Sequence, residues 1–139
     1  MKSRKLGDIF RECAEKCGLH TYMYARLGEA NYRMDAVYQY PVVLRLFNET
    51  ISETSISTVR KRRTTLYFCD DMGEAEPDTE FDVSPITDKM EQCAMDFIEE
   101  LRRNNVTVER VTAMTPFINQ FDVMAAGIKC DITFTYKIC

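Results

Sequence analysis

Lys129-Cys130-Asp131-Ile132-Thr133-Phe134-Thr135-Tyr136-Lys137-Ile138-Cys139 is the stretch whose reading decides the fold. Its even positions, extended back through Ile128, Ala126 and Met124, are apolar, and its odd positions as far as Lys137 are charged or hydroxylated. Period-two alternation marks a strand with one face on a core; a helical period would scatter Lys129, Asp131 and Lys137 among the apolar residues. Gly127 falls on the polar side, where a bulge or bend is expected to interrupt so long a strand. A half-buried strand needs neighbours, so earlier segments must supply the rest of a sheet.

Working outward, residues 106–114 are β-branched and read as a strand, with Pro116, Asn119 and Gln120 turning the chain into the last one. Before them lies the main helix, about 85–103. Ser84 is placed to cap it and Pro85 to open it. Ile86, Met90, Cys93, Ala94, Phe97 and Leu101 form one apolar stripe, Arg102 and Arg103 complement the dipole, and Asn104-Asn105 ends the run. Residues 42–52 and 57–70 read as an antiparallel hairpin turning near Glu53-Thr54-Ser55. A first helix over residues 5–16 carries Leu6, Ile9, Phe10, Cys13 and Cys17 on one stripe, with Gly18 as its stop. Tyr22 to Leu27 is ambiguous, and the chain from there to Gln39 reads as irregular. The sum is a single α+β domain spanning 1–139. It has a mostly antiparallel sheet, an extended β-hairpin arm at about 42–70, two main helices packed on one face, and closing strands at about 106–138. A helix of about 19 residues covers about 28 Å, whereas a strand of about 12 residues covers about 40 Å. The hairpin tip, residues 48–55, is therefore expected to project beyond its covering helix.

The chain has 139 residues, 45% apolar and 29% charged, with a net charge of −4 that gives no overall pull toward nucleic acid. No segment has the apolar length that a bilayer crossing or a secretory leader needs, so no membrane contact is expected. The six cysteines could form three disulfides; without a leader, the favoured reading is reduced thiols packed as small apolar residues.

Few residue patterns point to catalysis. Cys13-x3-Cys17-x2-His20 offers thiolate and imidazole ligands that suit zinc, but no second pair completes a tetrahedral set. His20, the only histidine, lacks a nucleophile elbow nearby, and phosphate-binding glycine motifs and H-E-x-x-H are absent. The acidic run Asp70, Asp71, Glu74, Glu76, Asp78, Glu80, Asp82 would suit Mg²⁺ or a solvated loop, with no EF-hand pattern. Neither a catalytic residue nor a cofactor is assigned. Arg60-Lys61-Arg62-Arg63 is the one dense basic cluster. On a strand it sends Arg60 and Arg62 to one face and Lys61 and Arg63 to the other. Its readings are an edge protected by charge, a contact with an acidic segment of another subunit, or a nucleic-acid backbone contact without base reading.

The element order, together with Thr115-Pro116-Phe117-Ile118-Asn119-Gln120-Phe121-Asp122-Val123-Met124-Ala125-Ala126-Gly127-Ile128, resembles phage tail-terminator and head–tail connector (tail completion) proteins of gut Bacteroidetes phages, including crAss-like phages. In these, a Phe-Asp, a few small residues and a glycine lead into the last strand. The resemblance implies a structural virion protein, assembled in the host bacterial cytoplasm, that forms a homo-oligomeric ring, six- or twelve-fold, between portal and tail. Its partners would be copies of itself and adjacent portal, connector or tail proteins, with duplex DNA passing non-specifically through the lumen. The expected subunit contact joins Leu46, Phe47, Ile51, Arg60, Lys61, Arg62 and Arg63 of one copy to the acidic segment beginning at Asp70 and Asp71 of the next. The alternatives are a small metal-binding protein or enzyme using Cys13, Cys17 and His20 or the acidic loop, and a nucleic-acid-binding module using residues 60–63.

Overall fold

Strand β6, Ala125–Lys137, is the second strand from one edge of a six-stranded sheet and carries its longest pairings. The computed structural model describes residues 5–25, 40–46, 50–53, 59–71, 80–118 and 125–137. Ahead of β6 come α1 (Leu6–Lys16), β1 (Thr21–Ala25), β2 (Val42–Leu46), β3 (Thr50–Glu53), β4 (Val59–Asp71), α2 (Glu80–Arg103) and β5 (Val106–Ile118). The strand order is β1-β2-β4-β6-β5, with β3 also on β4. Every pairing is antiparallel except β1 with β2, which is parallel. This is an α+β fold with a mostly antiparallel sheet, as the alternation and helical stripes predict.

The hairpin exists, with a broken first arm. Arg45 pairs with Leu66 and Thr50 with Arg63, so five positions along the first arm match three along β4. A further shift falls between Ile51 and Glu53. The second arm is not bare: β4 pairs with β6 in constant register from Val59↔Lys137 to Asp71↔Ala125. Over the described residues, therefore, the hairpin lies within the sheet instead of projecting from it. Asn48, Glu49, Thr54 and Ser55 of the expected tip, and the flanking Phe47 and residues 56–58, lie outside the described residues.

Four boundaries differ from expectation for identifiable reasons. Helix α2 begins at Glu80, so Pro85 is inside it and does not open it. Ser84 is no cap; its carbonyl accepts a hydrogen bond from the Thr87 hydroxyl at 3.1 Å. Pro116 does not turn the chain but lies within β5, which an edge strand tolerates because its missing N–H can face away from the sheet. Gly127 makes no bulge. A Cβ there would lie 1.8 Å from the Phe68 carbonyl oxygen, so glycine permits the close approach of β6 to β4. Finally, β1 forms where the sequence is ambiguous, because five residues are too few for a period to declare itself.

One large core joins both helices to the sheet. Phe10, Cys13 and Ala14 of α1 and Met90, Ala94, Phe97, Ile98 and Leu101 of α2 share it with Val43, Leu66, Phe68, Ile128, Cys130, Ile132 and Phe134. Phe10 is its hub, with ring centroids 5.6 Å from Phe97 and 5.7 Å from Phe134. Arg45 is only 3% exposed. Its guanidinium is held over the rings of Phe10 and Tyr24 at 4.6 and 4.4 Å and donates to the Tyr22 hydroxyl at 3.2 Å, so cation–π attraction offsets part of the desolvation. A second cluster lies on the reverse of the sheet at the β1–β2 end: Met23, Ala25, Val42, Leu44, Leu46, Tyr67 and Cys69, with Phe117 packed against it. Helix α1 stops at Gly18 with φ 79°, and Asn105 at φ 66° follows α2; both left-handed positions suit the residues that hold them.

Candidate functional site

Strand β4 sorts the basic cluster by face, as period two dictates. Arg62 turns to the helix side, its guanidinium 5.4 Å from the Tyr136 ring centroid. Lys61 turns to the reverse side and pairs with Glu109 at 3.1 Å. Arg63, also on the reverse side, is exposed. Arg60 belongs to β4, and its side chain lies outside the described residues.

The other expected contact residues are similarly divided. Leu46 is 2% exposed and serves the reverse-side apolar cluster, so it has no area left to offer a neighbour. Ile51 pairs with Arg62 through its backbone, and its side chain is not described. Asp70 accepts from Lys89 at 2.9 Å and from the Asp71 backbone N–H at 2.8 Å, pinning the end of β4 to α2. That hydrogen bond is the main reason the Lys89 ammonium is held above its ordinary range. Asp71 is exposed. Residues 72–79 of the acidic run lie outside the described residues.

Strand β5 supplies what sequence reading missed. Strict alternation from Val106 and Val108 would put Arg110 on the core side. The register shifts between Val108 and Arg110 and again between Val111 and Ala113, and a one-residue bulge carries the side chains beyond it to the other face. Arg110 therefore pairs in register with Thr133, as Arg63 does from β4. Two exposed arginines, 47 positions apart in sequence, flank one threonine on the reverse face, about 10 Å apart across two strand spacings. Among the described residues neither has an ion-pair partner. Nearby, Thr65 donates to Asp131 at 2.7 Å, and Thr135 and Thr107 lie beside Lys61 in register.

The cysteine–histidine pattern is not assembled. Cys13 is buried in the core, where the Asn104 amide reaches its sulfur at 3.6 Å; His20 is exposed, and its backbone N–H donates to the Pro41 carbonyl. Burial, reinforced by Glu100 and Asp96, pushes the Cys17 thiol up to about 12, and burial with Asp131 does the same for Cys130. Such thiols are poor nucleophiles and poor ligands near neutrality. Cys13, Cys17, Cys69, Cys93 and Cys130 are all free thiols. Among the described residues no three His, Cys, Asp or Glu side chains are grouped to hold a metal. Among the described residues no helix is long and apolar enough to cross a membrane.

No family model and no curated protein matches the chain.

Proposed function

We propose that the protein is a structural subunit of a head–tail connector or tail-terminator ring, which joins the capsid portal to the tail of a phage. The closing phrase 115–128 and the element order support this reading through the resemblance they carry. The observation that supports it in the structure is a pair of exposed arginines on the reverse face, Arg63 of β4 and Arg110 of the edge strand β5, neither of which has an ion-pair partner among the described residues. Elsewhere many charged side chains find partners within the chain: Lys16 with Glu100, Lys61 with Glu109, Lys89 with Asp70, Arg102 with Glu99 and Arg103 with Glu100. Unpaired cations on a sheet face, next to an edge that carries two bulges and Pro116, favour a partner held by side chains over one added as an extra strand.

In this reading the chain is a building block whose chemistry is adhesion, and its six- or twelve-fold ring closes through head-to-tail contacts. Copies of itself and the adjacent portal, connector or tail proteins are its partners, with DNA passing non-specifically through the lumen. Native mass spectrometry and electron microscopy of purified protein test it. A closed ring of fixed stoichiometry is the expected result; a monomer across all concentrations, absent from purified particles, contradicts it.

A further inference from the structure

We infer that the neighbour meeting Arg63 and Arg110 is a second copy of this chain, docked by the outer stripe of its own α2: Asp88, Glu91 and Met95. The inference rests on the ring reading and names the two surfaces that close it. Asp88, Glu91 and Met95 fall at i, i+3 and i+7, so they line one stripe of the helix. All three are exposed, and Met95, at 51%, is the most exposed of the large apolar side chains described. Among the described residues, Asp88 and Glu91 have no ion-pair partner, just as Arg63 and Arg110 have none. Helix α1 lies along the opposite flank of α2, where Lys16 reaches Glu100 at 4.0 Å, so it does not cover this stripe.

The stripe is on the helix side of the sheet and the arginines are on the reverse side, so within one chain they cannot meet. One chain's stripe against the next chain's arginines is a heterologous contact, which closes into a ring when the rotation permits. Chemistry matches on both sides. Two carboxylates face two guanidinium groups, and Met95, flexible and apolar, lies one turn beyond Glu91 at the end of the stripe, where it meets the strand surface beside the arginines. Charge pairs set register and partner choice more than affinity, so the contact also needs apolar area, to which Met95 contributes.

The test is a charge exchange on the full chain, read by sedimentation and native mass spectrometry. Arg63→Glu with Arg110→Glu, and separately Asp88→Arg with Glu91→Arg, should each weaken self-association about tenfold or more, since like charges are brought face to face. Combining all four substitutions should restore it to within about threefold of wild type, because the pairing is re-formed with signs reversed. Far-ultraviolet circular dichroism and thermal melts confirm that each variant folds. A wild-type chain that never associates overturns the ring reading and this inference together. A wild-type ring indifferent to both exchanges overturns this inference alone. If the arginine variant instead loses salt-sensitive binding of a 20-base-pair DNA duplex while the acidic variant assembles normally, the arginines are a nucleic-acid contact and the inference is wrong.

Discussion

The two faces of this sheet are built from the same strands and do opposite things. On the helix side, Leu66, Phe68, Ile128, Cys130, Ile132 and Phe134 are buried under Phe10, Phe97 and Leu101. On the reverse side, the same two strands present Lys61, Arg63, Thr65, Asp131, Thr133 and Thr135, with Arg110 beside them. Only toward β1 and β2 does the reverse side turn apolar, around Leu44, Leu46 and Tyr67. One face spends its side chains on holding the chain together. The polar half of the other contributes little to that and is free to be specified by a partner.

Substitutions on the two faces should separate these roles. Phe97→Ala removes a ring that meets both Phe10 and Phe68 and should cost about 3–5 kcal/mol in chemical denaturation; a loss below about 1 kcal/mol would mean that α2 does not cover the sheet. Gly127→Ala should come next, at about 3 kcal/mol, because its methyl group would press on the Phe68 backbone, which cannot move without disturbing the β4–β6 ladder.

Thr65→Ala, on the reverse face, loses the hydrogen bond to Asp131 and should cost about 1 kcal/mol. Besides Arg45, the helix side holds another departure from its apolar logic, the Thr64 hydroxyl, which is buried without a hydrogen-bond partner among the described residues. Thr64→Val should therefore be neutral or stabilise by up to about 1 kcal/mol, and a clear destabilisation would show that the hydroxyl has a partner after all.

The buried thiols add a pH signature. Burial raises Cys17 and Cys130 to about 12 from an ordinary 9.0, and raises Cys69 and Cys93 as well. The folded state then keeps protons that the unfolded state gives up, so this part of the stability is intact below pH 9 and is lost as pH rises from 9 toward 12. Tm measured at pH 7, 9 and 10.5 should fall over the upper interval, and Cys130→Ala should fall less steeply there. An unchanged slope in that variant would place the alkaline loss elsewhere.

How much of this was legible in the sequence follows from how periodic each element is. β6, α2 and α1 carry long patterns, and their apolar faces could be read directly; Phe97 and Phe134 do share one core. β1 was not legible, because five residues beside an unmarked stretch give no period and its parallel partner is 21 positions away. The basic cluster was visible as a run of charge, yet its division into a stacked Arg62, a paired Lys61 and an exposed Arg63 depends on cross-strand neighbours. Arg110 was hidden for a sharper reason. Two shifts of register in β5 move it off the face that alternation assigns to it, and a bulge leaves no reliable mark in the residues themselves. The outer stripe of α2 was present in the helical spacing, but unpaired carboxylates become visible only once the other charges are seen to be paired.

If the reverse face serves a partner and not the fold, Arg63→Glu with Arg110→Glu should change the stability of the isolated chain by less than about 0.5 kcal/mol, the ordinary range for exposed substitutions. The most direct test of the account is the mass of the assembled wild-type chain beside that of this variant, measured by native mass spectrometry at matched concentration. A closed ring from the wild type and subunits of unchanged fold from the variant is the predicted result. Identical rings from both, or monomers from both, would contradict it.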